Sequence, residues 1–431
     1  MSRNINGMMN MKYKKNWLIS AGMLLLVLLN LADILYHNTI EIGFVDLKLY
    51  WEEFRVTLMG YDTGFFYHTG EQIPGASTLP AIPIFPWGRI LGNLICPAFL
   101  PYGIAKWYTF ALLVVLCVLA GMMGYKHILG SLCKVDNCDT SNVMNKVAKE
   151  NKFFLIIAMI MIFFMPFYWR DMITFFNIGG VICFLLILMV FIVEKHPYLA
   201  AVLLAISMMK PQNAVPFVII LLLERRWKTV FSAAGLDVIA WLFTAIWTGV
   251  NPINQVLYIS GRSTDAEPYY FWFGLLDPLR NLGMSSNAAM VLSMLLGVVI
   301  LVLLYFAVKN NPLWKDNVIA IYSGAAVIST VWMYKSKSDF VIVVLASMFV
   351  LQYYLVSLEK IESEVASAEK KRLTAVQLQC IGMLALLNVL IFTEPVRVLL
   401  GYSFTTGMTL DAWCRLGTVV WITVVCGKRS I

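Results

Sequence analysis

Asp46 is the first residue in this sequence with the setting of a general base. It lies in Phe44-Val45-Asp46-Leu47-Lys48-Leu49-Tyr50-Trp51, where helical spacing aligns Asp46, Leu49, Tyr50 and Glu53 along one side. A carboxylate beside aromatics at a membrane surface can accept the proton of a hydroxyl nucleophile. It can equally cap a helix or sit exposed as an interfacial acid. Glu52, Glu53 and Asp62 compete for the same role.

Lys210 is the second such residue. It stands between two apolar half-segments in Met209-Lys210-Pro211-Gln212, and an ammonium at mid-helix costs about 2.5 to 3.5 kcal/mol on insertion scales. Pro211 removes a backbone donor and ends the helix before it. A cation at a helix break near a membrane surface suits a phosphate or anionic headgroup; a lysine snorkelling from a kinked helix gives the same pattern. Gln212 and Asn213 extend the polar patch. A third interruption, Tyr334-Lys335-Ser336-Lys337-Ser338-Asp339, is either an anion site or a short solvated turn in which Asp339 neutralises Lys337. Arg170-Asp171, Asn177-Ile178-Gly179-Gly180, and Arg262 with Asp265 and Glu267 are further polar connections.

These groups stand out because charge is scarce. Only 13% of the 431 residues are charged and 60% are hydrophobic, whereas soluble domains carry roughly 25% charged residues. The chain therefore reads as an all-α, polytopic integral membrane protein. Hydropathy and flanking charge place membrane segments near 17–36, 104–125, 153–169, 179–194, 197–209, 212–223, 229–249, 288–308, 317–333, 339–357, 373–393 and 410–427, about twelve in all. The stretch 197–223 is readable as one kinked span or two short ones. Only the two-segment reading places every strongly basic loop on one side, which by the positive-inside tendency is the cytoplasm. That tendency also absorbs most of the +8 formal charge, so no nucleic-acid partner is needed.

The organisation that follows has a cytoplasmic N-terminus at 1–16 and a first transmembrane module at 17–249 that includes a large outer loop, 37–103, of interfacial helices. A second outer loop spans 250–287, and a C-terminal transmembrane module spans 288–431. Both termini are expected in the cytoplasm of a multi-pass cell-membrane protein, with Asp46, Lys210 and Asp339 on the outer face. No Walker loop, dinucleotide fingerprint, zinc-protease motif or serine-hydrolase elbow occurs, and the four histidines are scattered. ATP-driven pumping and zinc chemistry are therefore not expected. The cysteines read as free thiols, no cofactor or metal site is predicted, and dependence on a divalent metal stays open.

The order of these features resembles the membrane-embedded C-superfamily of glycosyltransferases, and within it glycosyltransferase family 87, the polyprenol-phosphate-mannose-dependent type. The resemblance rests on Asp46 with Tyr50 and Gly60-Tyr61-Asp62, on Asn177 to Gly180 opening a span, on Met209 to Gln212 followed by Glu224-Arg225-Arg226-Trp227, and on the late connection ending at Asp339. Asn177-Ile178 stands where Gly-Gln is often found, and Lys335 and Lys337 stand in a connection usually richer in Ser and Pro. The resemblance implies a sugar donor on a polyprenyl phosphate, a glycan or glycolipid acceptor, membrane lipids around it, and Asp46 as catalytic base. On that reading Lys210, Lys335, Lys337 and Arg262 meet the donor phosphate, while Tyr50, Gln212, Asn177 and Asp339 line the substrate site. A lipid-linked oligosaccharide flippase and a cell-surface polysaccharide polymerase are the rival expectations.

Overall fold

A computed structural model describes residues 16–36, 45–71, 73, 84–132, 152–165, 176–265, 275–333, 337–362, 369–388, 401 and 404–427. Among these the chain is helical and contains no strand. Helices stand at all twelve places where the apolar runs fall: α1 (Trp17–Tyr36), α5 (Tyr102–Leu132), α6 (Lys152–Phe164), α7 (Gly179–Ile192), α8 (Pro197–Ser207), α9 (Pro211–Leu223), α10 (Trp227–Thr248), α13 (Ser286–Lys309), α14 (Val318–Ser329), α15 (Val344–Glu362), α16 (Glu369–Asn388) and α17 (Phe404–Gly427). Between α1 and α5 lie α2 (Val45–Leu58), α3 (Thr63–Thr69) and α4 (Pro86–Leu91); α11 (Pro252–Asp265) and α12 (Leu276–Asn281) follow α10. A 3-10 segment, Lys337–Val343, leads into α15.

Among the described residues, four stretches are long and apolar enough to cross a membrane: Tyr102–Gly130, Trp227–Thr248, Ser286–Lys309 and Asp339–Leu358. The last is wholly enclosed by other helices, and α7 is also apolar all round and buried almost throughout, as a central helix must be. The other apolar helices are shorter. α16 begins at Glu369, four residues before the expected span at 373–393, and residues 389–393 of that span lie outside the described residues.

The ambiguous stretch resolves as a hairpin. α8 ends at Ser207 and α9 starts at Pro211, with Lys210 between them in neither helix. Arg226, just past α9, donates to Glu194, just before α8, at 2.7 Å, so the far ends of the two helices lie side by side. Thr229 Oγ1 donates to the Pro197 carbonyl at 3.2 Å across the same end. At 1.5 Å per residue these helices are about 16 and 20 Å long, shorter than a hydrocarbon core of ~30 Å. Lys210 thus marks a tip recessed within the bundle, where α7 also begins.

The short helices between α1 and α5 cover that tip. Trp87 on α4 donates its indole N–H to the Met208 carbonyl at 3.1 Å, satisfying an acceptor that the end of α8 leaves open. A Cβ on Gly88 would come within 2.8 Å of the Met209 side chain, so glycine lets the two elements close. Trp51 on α2 donates to the Leu100 carbonyl at 3.0 Å, and Thr244 on α10 donates to the Pro86 carbonyl at 3.0 Å. These contacts pin the short helices to the long ones.

Candidate functional site

Four segments distant in sequence meet at the hairpin tip. α2 brings Asp46 in its first turn and Tyr50 one turn later. The residues before α7 bring Asn177, the hairpin brings Lys210 and Asn213, and the 3-10 segment brings Asp339. Asn177 is the joint between them. Its Nδ2 donates to Asp46 Oδ2 at 3.0 Å, while its Oδ1 accepts from Lys210 Nζ at 2.7 Å, from the Gly179 N–H at 2.9 Å and from the Tyr50 hydroxyl at 3.4 Å. These partners all agree with one orientation of the amide.

Lys210 bridges onward to Asp339 Oδ1 at 2.9 Å, an oxygen that also accepts from Asn213 Nδ2 at 3.1 Å. The Cys183 thiol donates to the Asp339 carbonyl at 3.1 Å. Asp339 is 1% exposed and Lys210 7%. Burial opposes the charged lysine, but the Asp339 carboxylate outweighs it and holds the Lys210 pKa above the ordinary value. Lys210 thus neutralises Asp339, whereas the side chain of Lys337, weighed for that role, lies outside the described residues. A Cβ on Gly179 would overlap Asp339 Oδ1 and come within 2.9 Å of Lys210 Nζ, so the pair needs a glycine at the start of α7.

With both carboxylates and the ammonium ionised, the described residues of the cluster carry one net negative charge. Asp46 is half-buried, the most open of the three. A carboxylate held by an amide donor, near a lysine and open on one side, can accept a proton from an incoming hydroxyl. Among the described residues no group of three or more His, Cys, Asp or Glu side chains is arranged to hold a metal ion.

The competing acids have other uses. Glu53 lies two turns further along α2, where Arg89 Nε reaches Glu53 Oε1 at 3.1 Å and Arg89 Nη1 reaches Asp62 Oδ2 at 2.8 Å. Thr63 donates to Glu53 Oε1, Gln255 donates to Asp62 Oδ2 at 2.8 Å, and Asp62 Oδ1 caps α3 through the Phe65 N–H at 2.9 Å. Glu53, Arg89 and Gln255 are 0% exposed and Asp62 2%. Glu52, whose side chain is 16% exposed, pairs with Lys48 at 4.0 Å.

Of the remaining expected site residues, Gln212 is buried and its carbonyl accepts from Trp332 Nε1 at 2.8 Å. Arg262 lies in α11 and Lys337 in the 3-10 segment, but the positions of their side chains, and all of Lys335, lie outside the described residues. Arg170 and Asp171 also lie outside them. The six cysteines within them are free thiols, and burial pushes the Cys96 thiol up to about 11, which makes it a poor nucleophile.

Two arginines that pattern reading passed over are structurally central. Arg89 stands in Pro86-Trp87-Gly88-Arg89, where the sequence signal is a lone cation within an aromatic and proline-rich run. Arg415, inside the last apolar run, is 0% exposed and places its guanidinium carbon 3.8 Å from the ring centroid of Phe340, the residue after Asp339. A cation in an otherwise apolar span was its signal.

Comparison with known families gives one match, to the model of glycosyltransferase family 87 over residues 92–357, more than half of the chain. Asn177, Lys210 and Asp339 fall within the match; Asp46 precedes it, and the fold brings it to them. Comparisons with curated proteins and with solved structures gave no match.

Proposed function

The chain belongs to glycosyltransferase family 87, and we propose that it transfers a hexose, mannose or a close relative, from a polyprenyl-phosphate donor to a glycan or glycolipid acceptor with inversion. It is a membrane protein; we read it as multi-pass, with about twelve crossings, both termini cytoplasmic and the reaction on the outer face. The observation that carries the mechanism is the chain Asp46–Asn177–Lys210–Asp339, which ties a partly open carboxylate to a buried ammonium through a single amide.

In this mechanism the acceptor hydroxyl gives its proton to Asp46 as its oxygen attacks the anomeric carbon from the face opposite the leaving group. The bond between that carbon and the phosphate oxygen breaks, and the polyprenyl phosphate leaves with the bonding pair. Lys210 donates to the developing phosphate charge, an interaction worth more in the transition state than in the ground state. Asp339 already neutralises Lys210, so binding the phosphate also calls on the cations at Lys335, Lys337 and Arg262. Asn177 acts as a positioning residue: its amide is committed to Asp46, Tyr50 and Lys210, and it holds the base in line.

The test is transfer of labelled sugar from polyprenyl-phosphate mannose and glucose by purified protein. Transfer by the wild type that falls by about 10²- to 10⁴-fold in a folded Asp46→Asn variant supports both donor class and base. Transfer that survives the substitution removes Asp46 from the reaction, and inertness toward both donors rejects the donor class.

A further inference from the structure

We infer that Arg415 is a positioning residue for the reaction: its guanidinium, seated on the Phe340 ring, holds in place the segment that carries Asp339, the counter-ion of Lys210. This rests on the reading above, in which Lys210 meets the donor phosphate, and it brings the last helix of the chain into that machinery.

A cation buried within a membrane protein needs a reason. Arg415 stands near the middle of α17 and is 0% exposed. Arg415, Thr418, Val419 and Ile422 follow helical spacing and are all buried, so this face of α17 turns toward the protein and not toward lipid. A charged side chain in an apolar helix is costly and marks a functional position by default. Packing alone does not call for the charge, since apolar side chains of like volume often replace buried ions without loss of stability.

What the guanidinium meets is the ring of Phe340, also buried, with 3.8 Å between its central carbon and the ring centroid. That is a stacked contact, well inside the ~6 Å reach of cation–π attraction, which strengthens away from water. Phe340 is joined to Asp339 within the 3-10 segment Lys337–Val343. Hydrogen-bond geometry is poor in such segments, so the place of the carboxylate depends on what grips the segment from outside. α7 grips one side, where Cys183 donates to the Asp339 carbonyl at 3.1 Å and Gly179 lies against Asp339 Oδ1. Arg415 and the Phe340 ring supply a second hold from α17. With the segment so held, Asp339 Oδ1 stays 2.9 Å from Lys210 Nζ and 3.1 Å from Asn213 Nδ2.

The experiment has a donor-free arm and a transfer arm. Purified full-length Arg415→Met, which removes the charge at similar volume, and Phe340→Leu, which removes the ring, are treated with N-ethylmaleimide, and alkylation of each cysteine is followed by mass spectrometry. Cys183 reports on the Asp339 segment. Cys96, equally buried in the segment before α5, reports on general loosening. Cys183 should react at least about tenfold faster in both variants, the scale of one desolvated cation–π contact, with Cys96 unchanged. Arg415→Lys keeps the charge without the planar fork and should fall between the wild type and Arg415→Met. In the transfer arm, Arg415→Met should lower kcat about tenfold with little change in KM, and should add nothing in an Asp339→Asn background, because both act through one carboxylate. Phe340→Leu tests the same contact should the arginine variant fail to fold. Cys183 as protected as in the wild type, equal acceleration at Cys96, or a full further loss on top of Asp339→Asn would overturn the inference. A selective response of Cys183 in a protein that transfers sugar from no polyprenyl donor would uphold the hold on Asp339 and sink the proposed reaction alone.

Discussion

Helix α2 carries two ionic clusters two turns apart, and they differ in every respect that separates chemistry from architecture. At its start, Asp46 is half-buried and accepts from the Asn177 amide, with its network extending to Lys210 and Asp339 on remote segments. Further along, Glu53 is sealed with Asp62, Arg89 and Gln255, all 2% exposed or less. A carboxylate locked against an arginine and closed to solvent has no approach for a substrate. It rather fixes the short helices α2, α3 and α4 against one another. Both clusters draw on the same kinds of residue, so access and commitment distinguish them, not composition.

Paired substitutions separate the two most sharply. Arg89→Ala leaves Glu53 and Asp62 as buried, uncompensated acids and should cost about 3 to 5 kcal/mol of stability, seen as a large fall in thermal midpoint and in recovery from detergent. Asp46→Asn should leave that midpoint nearly unchanged while transfer collapses. Equal stability loss in both would erase the distinction. Asn177→Ala comes next: it should lower kcat about 10- to 100-fold, the scale of a lost hydrogen bond to a charged group, with a smaller change in KM. A carboxylate that loses its amide donor protonates more readily, so the acid limb of the pH–rate profile should move to higher pH.

Asp339→Asn should act on the other limb. In the wild type Lys210 stays charged as pH rises through the ordinary lysine value of about 10.4, because the Asp339 carboxylate raises its pKa against burial. Without that carboxylate burial dominates and lowers it, so activity should fall away at lower pH than in the wild type. An unchanged alkaline limb would mean that the lysine charge is held by other groups. The smallest effect is expected at the opposite end of the hairpin, where Arg226 and Glu194 are substantially exposed; Arg226→Ala should cost no more than about 1 kcal/mol.

The sequence makes the helices legible because long apolar runs have few alternatives, and a helix stands at each of the twelve places, although only four described stretches are long and apolar enough to cross a membrane. The break at Lys210-Pro211 is legible too, since proline and a lone cation both mark it. The reversal there is less so: hydropathy fits a kinked span equally well, and only the distribution of basic loops favours two segments. The Arg226–Glu194 contact then supplies the geometry. The partner of Lys210 was out of reach, because Asp339 lies 129 residues away beside two nearer lysines. Arg89 was hidden by its neighbours, since a short run dense in Trp, Pro and Gly reads as a loop and gives no sign that its one arginine turns inward.

The separation between Lys210 and Asp339 also bears on how the protein is made. Trp87 and Asn177, which satisfy the hairpin tip, are synthesised before Lys210, so its amide partner is at hand as it emerges. Its counter-ion is not. At about 5 to 20 residues per second, the 129 residues to Asp339 take roughly 6 to 26 seconds. During that interval the tip holds an ammonium with neutral partners alone. The nascent hairpin is thus a provisional structure, completed only when the segment after α14 arrives, and that waiting period is when membrane chaperones and proteases would find it most exposed.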